Sequence, residues 1–121
     1  MRAVRLLLSS LLLLTACVGP EAPDAALCRD VITRICVSPH CSSVDAQLNP
    51  GMDCVATLSM KTGCGSDDFV FAKPTRERFL ECRVPLVRLG AERAAAPGCD
   101  NVDEMFNNCP DVVAFLRGTT P

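Results

Sequence analysis

Nine cysteines carry the densest chemistry in this chain: Cys17, Cys28, Cys36, Cys41, Cys54, Cys64, Cys82, Cys99 and Cys109. Thiols at that density can pair as disulfides, hold a metal, or attack a substrate. The stretch CVSPHC, residues 36–41, sets two of them around His40, the only histidine, with Cys28 nearby. Zinc takes Cys and His in fours, yet His40 and Cys41 are adjacent and turn poorly toward one ion, and no C-x2-C pair of a zinc ribbon is present. Redox catalysis is also unsupported, because no C-x-x-C occurs. A triad hydrolase needs a base beside its nucleophile, and the one imidazole sits among cysteines better explained as disulfide partners. Asp67 and Asp68 follow Gly65-Ser66 without the alternating oxygen ligands or distal Glu of a calcium loop. Carboxylates that meet in space would suit glycoside chemistry, but a chain without Trp or Tyr lacks the aromatic surface such sites use. We therefore expect no catalytic residue, no metal site and no cofactor. Disulfides are the plainer account of the thiols, and they require an oxidising compartment.

The N-terminus supplies a route to one. Arg2 and Arg5 precede an apolar run over residues 6–14, interrupted only by Ser9 and Ser10. About nine residues make roughly 14 Å of helix, too short to span a bilayer and the right length for the apolar part of an export signal. The run ends in Leu14-Thr15-Ala16-Cys17. Ordinary signal cleavage wants small residues at −3 and −1, and a cut after Ala16 would put Leu14 at −3. Nine is also odd, and an odd cysteine in an exported chain needs a role. Removing Cys17 leaves eight.

Leu14-Thr15-Ala16-Cys17 resembles the lipobox of bacterial lipoproteins, a resemblance confined to the first 17 residues. It implies that residues 1–16 are a signal peptide, that the chain is cut before Cys17, and that Cys17 is acylated, making membrane lipid its first partner. Two or more acyl chains hold a protein stably, at about 0.8 kcal/mol per buried CH₂. In related lipoproteins an Asp after the lipidated cysteine favours the inner membrane. Val18 stands there, which implies the outer membrane. Residues 17–24, with Pro20 and Pro23, read as a flexible tether of about 3 Å per residue. Without Arg2 and Arg5, ten basic side chains face 14 acidic ones, a formal charge of −4. Such a domain has no clustered basic face for nucleic acid.

The remaining residues, 25–121, must be organised by short elements. Leu27, Cys28, Val31, Ile32, Ile35 and Cys36 recur at helical spacing, with Asp24 as a candidate N-cap and Ser38-Pro39 as the stop. Residues 43–48 form a short turn of helical character. Asn49-Pro50 suggests a cap and first-turn proline for a helix over 50–62, closed by Gly63. Residues 69–71 suit either a short strand or an apolar plug. A helix starts softly near Thr75, since Thr75 with Arg78 is no capping box, and Pro85 interrupts it before a possible continuation to Ala95. Asp100 suits the cap of a helix over 101–108, and Cys109-Pro110 restarts one through Arg117, closed by Gly118. The expected fold is a small all-α, disulfide-rich domain of four or five short helices.

Cys28 and Cys36 lie eight apart on one helix, about 12 Å along its axis, while a disulfide needs Cα atoms within about 7 Å. Each must reach another segment. An antiparallel hairpin would nest Cys36 with Cys54 and Cys28 with Cys64. Eight cysteines allow 105 pairings, and Cys41, Cys82, Cys99 and Cys109 stay open among themselves. Cys54 to Cys64 and Cys99 to Cys109 share the Cx9C spacing of the twin Cx9C hairpin proteins, but 34 residues and Cys82 separate the two motifs. The functional expectation is a non-catalytic, lipid-anchored envelope protein at the outer membrane, acting as a structural, accessory or interaction module with an envelope protein partner. The other expectations are, less favoured, a metal-binding Cys/His protein and, ahead of it, an exported inhibitor or immunity-type protein. Its docking loop would be GCGSDDFVF, residues 63–71, through Asp67, Asp68, Phe69 and Phe71, with core packing as the alternative role for the two phenylalanines.

Overall fold

The computed structural model describes residues 18–37, 41–87 and 97–119. The expected signal segment with Cys17, the Ser38-Pro39 stop, His40, and residues 88–95 of the expected continuation to Ala95 lie outside the described residues. Seven helices are present there: α1 Asp24–Val37, α2 Ser42–Leu48, α3 Cys54–Thr62, α4 Arg76–Cys82, α5 Val84–Val87, α6 Cys99–Asn108 and α7 Pro110–Arg117. No strand occurs among the described residues. The fold is a small all-α, disulfide-rich domain. The helix count exceeds the four or five expected because the short turn before Asn49 and the segment around Pro85 are each helices in their own right.

The 3.6-residue spacing of α1 places Leu27, Cys28, Val31, Ile32 and Ile35 on one fully covered face. Of these, Cys28, Val31, Ile32 and Ile35 share one core with Leu58 of α3, Leu86 of α5 and the inner faces of α6 and α7, including Val102, Met105, Val112 and Leu116. α1 packs on α3 and α5, α7 packs on α2, α3 and α6, and α5 lies against α6. Four disulfides cross this core: Cys28–Cys64, Cys36–Cys54, Cys41–Cys99 and Cys82–Cys109. The first two staple α1 to the two ends of α3 in the nested order that an antiparallel hairpin imposes. The third joins the starts of α2 and α6. The fourth ties the end of α4 to the corner between α6 and α7.

Several helix ends differ from expectation, each for a local reason. Asp24 is not a cap. The Pro23 carbonyl takes the first helical bond, from the Leu27 amide at 3.0 Å, and the Asp24 carboxylate is engaged elsewhere. α3 begins at Cys54, not Pro50. Asn49 adopts a left-handed conformation (φ 55°) and closes α2, donating its N–H to the Asp45 carbonyl. Gly51 (φ 66°) breaks the chain direction again, and the Asp53 carboxylate caps α3 by accepting the Ala56 N–H. Thr75 caps α4 with its hydroxyl alone, accepting the Arg78 N–H at 3.2 Å. α6 starts at Cys99, and the Asn101 side chain accepts the Gly98 N–H at 2.9 Å, so Asp100 sits inside the first turn. α7 follows expectation, with Pro110 at its first position and Gly118 (φ 77°) past its end.

Candidate functional site

The loop singled out in the sequence runs from the end of α3 to the start of α4. Gly63 (φ 83°) closes α3, the Ser66 N–H donates to the Gly63 carbonyl, and the Phe69 N–H donates to the Ser66 carbonyl. This tight fold presents Asp67 and Asp68 to solvent. Asp67 pairs with Arg29 of α1 at 2.9 Å, and its side chain remains 89% exposed, so the pair adds little to stability.

The segment 69–71 is extended, and alternation decides what it shows. Phe69 and Phe71 turn inward and Val70 points out, 72% exposed. The Phe69 and Phe71 rings meet edge to face at 4.9 Å. Phe71 lies 4.5 Å from Phe79 of α4. Both rings also approach Phe115 of α7, at 6.0 and 6.1 Å. Four of the five phenylalanines thus form one aromatic cluster, in the spacing range that favours offset and edge-on contacts. The segment is an apolar plug, not a strand, and its two rings serve packing. What the loop offers a partner is Asp67, Asp68 and Val70.

A second cluster, not foreseen from the sequence, sits beside this loop. The Arg76 guanidinium of α4 donates to the carbonyls of Pro20 and Ala22 and to the Asp24 carboxylate. The other oxygen of Asp24 accepts the Phe71 N–H at 2.9 Å. One arginine and one aspartate therefore fasten the chain before α1 to the phenylalanine loop and the start of α4, both more than 45 residues further along the chain. The Phe71 amide, together with Arg76, holds the Asp24 carboxyl below the usual carboxylate range, against a smaller opposing effect of burial. This arrangement corrects the expectation for residues 17–24. From Pro20 onward the chain is turned, with the Ala22 N–H on the Gly19 carbonyl, and fastened to the fold. The signal available in the sequence was the arginine itself, in a chain where only ten exist, but nothing local pairs it with residues over 50 positions away.

Other charged and thiol groupings have structural explanations. Arg78 forks onto Asp111, Nε to Oδ2 at 2.9 Å and Nη2 to Oδ1 at 3.1 Å, tying α4 to the start of α7. Its hydrogen bond is the main reason the Asp111 carboxyl is held low. The Sγ atoms of Cys82 and Cys109 lie near the Asp111 carboxylate, but those sulfurs are bonded to each other, which removes the thiolates a metal would need. Arg83 is buried against α1, with Nη1 3.9 Å from Asp30, and burial pulls its guanidinium below its ordinary value. Asp30 also accepts from Arg34 at 2.9 Å, so these charges form an ion-pair cluster between α1 and the junction of α4 with α5.

One cavity, of about 190 Å³, is lined by Ile35, Val44, Pro50 and the Cys36–Cys54 bridge, with Asp45 as its one carboxylate. A lone carboxylate beside apolar walls and a disulfide gives no acid–base pair and no activated nucleophile. Val55, Ala56 and Met60 share the outward face of α3, and exposed Met52 precedes it. Scans of protein-family models, of curated proteins and of solved structures each find no match to this chain.

Proposed function

We propose that this protein is a non-catalytic, lipid-anchored module of the bacterial cell envelope, held at the outer membrane through acylated Cys17. The observation that carries the reading is the cysteine inventory. Four disulfides use eight of the nine cysteines, and the ninth is the one that ends the lipobox-like Leu14-Thr15-Ala16-Cys17. A thiol without a partner in the scaffold, placed directly after an export-type apolar run, suits acylation. The disulfides themselves suit an oxidising compartment. No helix among the described residues is long and apolar enough to cross a membrane, so an anchor of this kind would come from lipid.

The role we assign is tethering. Lipid confines the domain to two dimensions and raises its effective concentration near an envelope protein partner. The uncharged outward face of α3, with Met52 before it, supports an interaction module over a purely architectural one. The inhibitor reading loses its aromatic anchors, since Phe69 and Phe71 pack inward.

The deciding measurement is the intact mass of native protein from the membrane fraction, before and after reduction and thiol alkylation. A chain beginning at Cys17, carrying acyl mass, with eight thiols released only by reduction, is expected. An unlipidated chain, or free thiols without reduction, would overturn the anchor or the scaffold respectively.

A further inference from the structure

We propose that the Arg76 clasp seats the domain end-on against the bilayer, with the segment over residues 70–73 in the phospholipid headgroup layer. The inference rests on the proposed acylation of Cys17. Three residue steps separate Cys17 from Pro20, whose carbonyl Arg76 holds. Fully extended, those steps reach about 10–11 Å. The headgroup region on each side of a bilayer is itself about 5–8 Å deep. A cysteine whose acyl chains are in the hydrocarbon therefore holds Pro20 at or just above the headgroups. A free tether through residue 24 would have left twice that distance and no fixed orientation.

The residues gathered at that end suit such a surface. The Phe71 N–H binds Asp24, the same carboxylate that Arg76 holds, so residues 70–73 lie beside the clasp. Val70 is apolar and 72% exposed, and nothing in the aromatic cluster covers it. Lys73 is exposed and basic, matched to lipid phosphate. Glu21 on the adjoining turn and Asp67 and Asp68 just before Val70 are exposed and oppose that attraction, so the length of the leash, rather than charge, sets the placement. Met52 lies at the opposite end. It precedes Cys54, which is bonded to Cys36, and Asp24 and Cys36 are separated by about 18 Å along α1.

The chain contains no Trp, so one introduced Trp reports alone. Lipidated V70W and M52W proteins would be reconstituted into phosphatidylethanolamine–phosphatidylglycerol vesicles, with and without headgroup-region nitroxide lipid, and floated on a density gradient. We expect both to float. We expect V70W emission to shift to shorter wavelength and to be quenched, with neither change in M52W. Adding Arg76→Ala to V70W should abolish the shift and quenching while flotation persists. Should that variant fail to fold by circular dichroism, Arg76→Lys, which keeps the charge but loses the fork, takes its place and should weaken the quenching. Flotation with V70W and M52W behaving alike would overturn this proposal alone, as would quenching of V70W that neither Arg76 variant alters. Failure of either protein to float would overturn the acyl anchor and this proposal with it.

Discussion

Asp24 acts outside its own helix. Its position at the head of α1 suits a cap, but its carboxylate joins the Phe71 amide and Arg76 instead. Its carboxyl, like that of Asp111, is held below the ordinary carboxylate value in the folded chain. The unfolded chain takes up these protons first, so the stabilisation is complete above about pH 5 and is lost as pH falls through the unfolded value near 3.9 toward the lower folded values. Urea unfolding midpoints measured from pH 7 to pH 3 should fall at the acid end, and Asp24→Asn should flatten that fall while costing roughly 1–2 kcal/mol at pH 7. Phe71→Ala tests the inward-facing plug. Its ring is half-buried and contacts three other phenylalanines, so we expect a loss of about 2–3 kcal/mol, below the full core range. A docking residue would instead leave unfolding midpoints unchanged.

The helices themselves were largely legible. Period 3.6 gave α1 its buried face, and Pro110 and Gly118 bounded α7, because those signals are local. Helix rise excluded a Cys28–Cys36 bridge, and an assumed antiparallel hairpin of α1 and α3 supplied the nested pairing of Cys28 with Cys64 and Cys36 with Cys54 that the structure has. Cys41–Cys99 and Cys82–Cys109 did not, since they depend on how α2, α4 and α6 pack, which no spacing encodes. The boundary errors share a cause. Asn49 looked like a start and is a stop, because Asn caps a helix start in an extended conformation and closes a helix end in the left-handed one, and the residue type alone does not say which. Gly118 illustrates the same dependence on context. A Cβ there would sit 3.2 Å from the Lys61 carbonyl of α3, whereas Gly51 has open space around it. Both have φ in the left-handed region, which costs an L-residue about 1–2 kcal/mol. Gly51→Ala should lose about that much in chemical denaturation, and Gly118→Ala measurably more, because α7 must also move off α3.

At the scale of the whole molecule, crosslinks dominate. Cys41–Cys99 spans 58 residues and Cys36–Cys54 spans 18. By chain entropy these bridges are worth about 4 and about 3 kcal/mol. The double variant Cys41→Ser/Cys99→Ser should therefore unfold at a lower denaturant concentration than Cys36→Ser/Cys54→Ser. Equal midpoints would mean that native-state packing around each bridge outweighs loop length. Total stability of a typical domain is only about 5–15 kcal/mol, so full reduction should unfold the protein at neutral pH, visible as loss of helical circular dichroism. The aromatic plug and the Arg76 clasp hold the loop between Cys64 and Cys82 in place once those bridges exist, which is why they could be recognised only with the fold in hand.

The order in which these fastenings meet the chain bears on mechanics. A pull on the N-terminal end loads the Arg76 clasp first, at Pro20, and then peels α1 from Asp24. Peeling reaches Cys28 after only four helical residues, and there the sulfur bridge to Cys64 transfers the load covalently into the end of α3. Under force the domain would lengthen by a single short step and then stiffen, behaving as a strap with a stitched stop rather than as a thread that ravels.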